Sequence, residues 1–99
     1  MKPKKQWTLI TNHGAVLALI GERSMITTRE ISQHLGITER TVHNIISDLE
    51  TAGYITKSKI GRRNHFVVHP GLPLRREERR QVEVGALLQV LRRDQSDLP

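Results

Sequence analysis

Arg40, Asn44, Ser47 and Thr51 recur every three or four residues, so on a helix they share one face, with Thr41 and His43 flanking it. All six form hydrogen bonds, at several lengths, and Glu39 is the sole acid in the first turns. A guanidinium can grip two atoms of a guanine edge and a carboxamide two atoms of an adenine edge. Hydroxyls suit base edges or phosphates. A second group follows: Lys57, Lys59, Arg62, Arg63 and Asn64, in a stretch without any acid. Cations of this kind neutralise phosphates. The net charge of +6 agrees with a polyanionic partner.

Other chemistries find less support. The 5 histidines include His65 and His69, which would share a strand face but stand too far apart for one metal. His13, His34 and His43 show no ligand spacing. There is no cysteine, which excludes disulfides and thiolate metal sites. Asp48 and Glu50 face apart on a helix. No serine occupies a nucleophile elbow, and no Gly-rich phosphate loop precedes a helix. The expectation is a non-enzymatic chain with no metal and no cofactor.

The elements that must position these groups are legible as periodicities. Ile31, Leu35 and Ile37 are followed by Val42, Ile45, Ile46 and Leu49, with Gly36 between. Two apolar stripes facing each other across a glycine turn make a helix-turn-helix. Thr28 is expected to cap the first of these helices, whose body is Arg29–Leu35. Ser32 is the small side chain where the two helices meet. Thr38 is expected to cap the second, with Glu39 at the positive end of its dipole. Upstream, Trp7, Leu9 and Ile10 precede a cap at Thr11 or Asn12. A helix then runs to about Arg23, with Val16, Leu19 and Ile20 on one face and Leu17 beside it. Its Gly14 and Gly21 each weaken it by about 1 kcal/mol relative to Ala, so packing must hold it. Met25 and Ile26 suit a brief strand.

Downstream, period-2 alternation predicts a hairpin with strands near 54–60 and 64–69 and Gly61 in its loop. A basic hairpin after such a helix is a wing; the alternative is a solvated edge blunted by charge. His69–Pro73 breaks the chain. A helix is then expected from Leu74 to Arg93, charged at first, with Val84, Leu87, Leu88 and Leu91 forming a stripe. Gly85 within it marks close approach by another backbone or is neutral. That stripe could fold back, bind another protein or pair with a second copy, and a homodimer is the reading preferred. Recognition helices in a dimer would meet half-sites about 34–36 Å apart.

The 99 residues suffice for one domain, and with 36% apolar and 3% aromatic residues its core must be mainly aliphatic. No apolar run nears the roughly 20 residues needed to span a bilayer, and residues 15–20 are too short for a signal sequence. The cytoplasm is the expected location.

Residues 8–70 resemble winged helix-turn-helix transcriptional regulators grouped near the MarR and ArsR families. Thr28–Leu49, beginning TREISQHLGITERTV, carries the resemblance most specifically. Thr51-Ala52-Gly53-Tyr54 then leads into the wing with Gly61-Arg62-Arg63. Ser32 stands where these families usually have Ala. The long flanking helices of MarR-type dimers are missing, so no ligand pocket carries over, and the ArsR metal cysteines are absent.

The expected fold is α+β and mainly α: a three-helix core with a hairpin wing, plus a C-terminal helix. Residues 1–73 would form the DNA-binding domain with a basic tail (Lys2, Lys4, Lys5), and residues 74–99 a dimerisation element. The expected function is sequence-specific binding of double-stranded DNA by a transcriptional regulator, with residues 38–52 in the major groove and the wing, 54–69, on the minor groove or backbone. Arg40, Thr41, His43 and Asn44 would contact bases. Thr28, Arg29, Thr38 and Ser47 would contact phosphates. The alternative is a protein-interaction or RNA-associated winged helix. No effector is legible.

Overall fold

A computed structural model describes residues 8–75 and 81–92. Lys2, Lys4, Lys5, Trp7, the charged run 76–80 and the tail from residue 93 lie outside the described residues. The elements are α1 (Asn12–Glu22), α2 (Thr28–Leu35), α3 (Glu39–Thr51), β1 (Ile55–Ile60), β2 (Arg63–Val68) and α4 (Val84–Leu91).

α1 starts where the Thr11 hydroxyl accepts the Gly14 N–H, resolving the choice between Thr11 and Asn12. It buries Val16, Leu17 and Ile20, with Leu19 only half-buried. The buried face differs from the predicted one because α2, α3, β2 and α4 all pack on this helix.

α2 is capped by Thr27 rather than Thr28. The Thr27 hydroxyl accepts the Glu30 N–H at 3.0 Å, and the Glu30 carboxylate accepts the Thr27 N–H at 2.8 Å. This reciprocal pair satisfies two N–H groups that the helix itself leaves free, which favours Thr27 over its neighbour. α2 ends at Gly36 in the left-handed conformation, and α3 begins with Thr38 accepting the Thr41 N–H. Val42, Ile45, Ile46 and Leu49 of α3 are buried in one cluster with Ile31 of α2 and Val16 and Ile20 of α1. The core is aliphatic except for Tyr54 and Phe66.

β1 and β2 pair antiparallel from Ile55↔Val68 to Ile60↔Arg63, leaving Gly61-Arg62 as a two-residue turn. Gly61 has φ +63° and Arg62 is not left-handed, as in a type II′ turn with glycine first. The tighter turn draws Arg63 out of the expected loop and into the ladder. Ile55, Lys57 and Lys59 share one face with Phe66, Val68 and Asn64, by strand alternation and register. At the base of the hairpin this face is buried core; toward the tip it becomes cationic. The strand expected at Met25–Ile26 is absent: Ser24 and Met25 form a turn. One β-like bond remains there, from the Phe66 N–H to the Ser24 carbonyl at 2.8 Å.

The C-terminal helix begins ten residues later than predicted. Leu72–Leu74 instead run beside Val82–Val84, with a Leu74 N–H to Val82 carbonyl bond of 3.0 Å and a bridge between Pro73 and Glu83. Val84, expected in a subunit interface, is 4% exposed in the domain's own core, and Leu88 packs against that core. Gly85 lies against Pro70: its N–H donates to the Pro70 carbonyl at 2.9 Å, and a Cβ would meet Pro70 Cβ at 2.6 Å. Of the two readings of Gly85, close backbone approach is the one found.

Candidate nucleic-acid interface

Burying one stripe of α3 turns the opposite side outward. Arg40, His43, Asn44 and Ser47 are exposed, and none has a side-chain hydrogen bond among the described residues. Two neighbours bound this face. Asp48 bonds His13 of α1 at 2.8 Å, and Glu50 lies 4.0 Å from Lys57 of β1. The acids of α3 beyond its first turn are therefore engaged by the protein's own side chains, His13 and Lys57. Thr41 is less available: half-buried, it accepts from the Thr38 hydroxyl at 2.9 Å. Both expected contacts at that turn are engaged with each other. Thr28 is half-buried and Arg29 exposed at the N-terminal end of α2.

The wing cations fall into two groups. Lys59 and Arg62 are exposed and unpaired among the described residues, and Asn64 sits opposite Lys59 in the ladder. Arg63 points elsewhere. Its Nε and Nη2 donate to the Met25 carbonyl at 3.2 and 3.0 Å, and Nη2 also donates to Glu30 Oε1 at 3.2 Å. The Thr27 N–H chiefly, with the Thr27 hydroxyl and the charges of Arg63 and Arg23, holds the Glu30 carboxyl below its ordinary value. Sequence reasoning missed Glu30, although Thr27-x-x-Glu30 is a capping-box spacing that signals it.

Three of the five histidines make side-chain contacts within the protein: His13 with Asp48, His34 with Arg23 at 2.7 Å and His69 with Thr56 at 2.6 Å. No group of metal-ligating side chains occurs among the described residues, and no helix there is long and apolar enough to cross a membrane.

Residues 15–62 match the family model described as a helix-turn-helix domain. The structure is similar to the crystal structure of a mutant of MepR from a multidrug-resistant S. aureus clinical isolate. The TM-score is 0.52 and the identity 24%, over 70% of this chain and 57% of that one. The chain carries a winged helix-turn-helix domain. It spans a little over half the length of MepR, and no curated protein matches it in sequence. The domain match and the structural likeness agree on the fold, a helix-turn-helix followed by a hairpin. In that fold α3 is the second helix of the helix-turn-helix and β1–β2 the hairpin that follows it.

Proposed function

We propose that this protein binds double-stranded DNA sequence-specifically and regulates transcription, with α3 in the major groove and the wing on the adjoining minor groove or backbone. The observation that carries the reading is the unengaged face of α3. Arg40, His43, Asn44 and Ser47 are solvent-facing and free of protein partners among the described residues, while the neighbouring acids Asp48 and Glu50 are engaged by His13 and Lys57. Arg40 and Asn44 supply bidentate readout of guanine and adenine, and His43 reads the wing-side edge. Thr41 takes a lesser part through its position beside Arg40. Arg29, Ser47, Thr28 and the N-terminal turn at Thr38 approach phosphates. Lys57, Lys59, Arg62 and Asn64 anchor the wing. No catalysis is assigned.

Two copies would pair through what α4 leaves uncovered, Leu87 and Leu91 with Val90. Selection of bound sites from random duplex DNA tests the whole reading. Enrichment of a defined motif is the expected result, and its palindromy and half-site spacing report the pair. Absence of any enriched motif overturns it. One feature favours a protein- or RNA-binding role: Ile60 and Val67 are exposed on the outward face of the wing, at 54% and 45%. Equal binding of duplex, single strands and RNA would support that reading instead.

A further inference from the structure

We infer that Arg63 does not contact DNA but latches the wing to the helix-turn-helix, fixing where the wing's other cations point. It is a positioning residue, and its role in binding rests on the function proposed above.

The hairpin needs such a support. In β1 only Ile55 is buried, and in β2 only Phe66, so apolar packing ends near the base. Along the outer edge of β2, the Phe66 N–H bond to Ser24 is the single backbone rung among the described residues. Arg63 lies three residues nearer the tip and reaches Met25, the residue after Ser24. Its side chain therefore continues the edge by one rung where the backbone itself has none.

The receiving site is preformed. The Thr27 N–H already orients Glu30 Oε1 at 2.8 Å, and that same oxygen accepts from Arg63. A planar fork can hold a carbonyl and a carboxylate together, whereas an ammonium on a flexible stem cannot reproduce it. Arg62, the preceding residue, sits in the turn with no such partner among the described residues. Adjacent arginines are thus assigned opposite tasks: Arg62 faces outward to phosphate, and Arg63 turns inward.

The salt dependence of binding separates these tasks, because its slope counts phosphates neutralised, at roughly 0.9 per phosphate. Binding of one duplex would be measured against salt concentration for the wild type, Arg62→Ala, Arg63→Ala and Arg63→Lys. Arg62→Ala should lower the slope by about one. Arg63→Ala and Arg63→Lys should both weaken binding several-fold while keeping the wild-type slope. A slope lowered by about one in Arg63→Ala, with recovery in Arg63→Lys, would make Arg63 a phosphate contact and end the proposal.

Hydrogen exchange without DNA gives an independent reading. Arg63→Ala, Arg63→Lys and Glu30→Gln should each speed exchange of the Phe66 amide and its hairpin neighbours, with α3 amides unchanged as the check on folding. Unchanged hairpin exchange in Arg63→Ala overturns the latch. Should the wild type fail to bind duplex DNA, the proposed function falls while exchange still decides the latch.

Discussion

α3 and the wing offer solvent the same kind of chemistry but are held in different ways. Four buried aliphatic side chains fix α3, and a hydroxyl cap closes its first turn. The wing rests on Ile55 and Phe66 at its base, and past them on one backbone rung and the Arg63 contacts. The difference fits the two tasks proposed for them. Reading a base edge needs side chains held to within a fraction of an ångström, so the reader belongs on a packed helix. A phosphate contact is long-ranged and indifferent to sequence, so a polar mounting serves it.

Substitutions can break this contrast, and the largest effect belongs at the wing base. Phe66→Ala should cost about 3–5 kcal/mol in urea denaturation, because the ring is 2% exposed and joins hairpin to core. A loss under about 1 kcal/mol would show that the base is not packed as described. Next in size, Asn44→Ala should cost about 1–3 kcal/mol of discrimination at one base position. An unchanged ranking of selected sites would remove Asn44 from the readers.

Thr27→Ala should cost about 1 kcal/mol, since it removes a cap and loosens the carboxylate that receives Arg63. Thr28→Ala should cost clearly less, and equal losses would mean that the cap is shared. The smallest effect concerns acid. Glu30 has a folded-state pKa below its ordinary 4.5, so its contribution is complete above that value and fades as pH falls through the lower, folded value. Protection of the hairpin amides, relative to the intrinsic exchange rate at each pH, should fall over that acidic range in the wild type. In Glu30→Gln the same amides should show no such step, and a persistent step would place the titration elsewhere.

The parts legible in the sequence are those governed by neighbours in the chain. The stripe of α3, the Thr38 cap, Gly36 and the hairpin all follow from periods and turn residues. Thr27 and Thr28 are chemically alike, and only the reciprocal bond from Glu30 separates them. Periodicity predicts too long a C-terminal helix because Leu72–Leu74 and Val82–Val84 pair with each other, a contact that leaves no period to read. Arg63 shows the limit most clearly. Its partners lie 33 and 38 residues away, so in sequence the basic window 57–63 reads as four equivalent cations. Folding turns one of them to the protein body and brings Lys57 beside Glu50.

α4 carries a consequence for assembly. At eight residues it is about 12 Å long. Val84 is committed inward, Gly85 is pressed on Pro70, and Leu88 packs on the core, leaving the edge of Leu87, Val90 and Leu91. An edge that short supplies on the order of a few hundred Å², against the roughly 800 Å² that a stable partner contributes. On the function proposed here, two copies joined by α4 alone would dissociate readily in solution. A duplex carrying two sites would then act as the template, since the first copy bound raises the effective concentration seen by the second. Pairing would be a property of the occupied operator more than of the free protein.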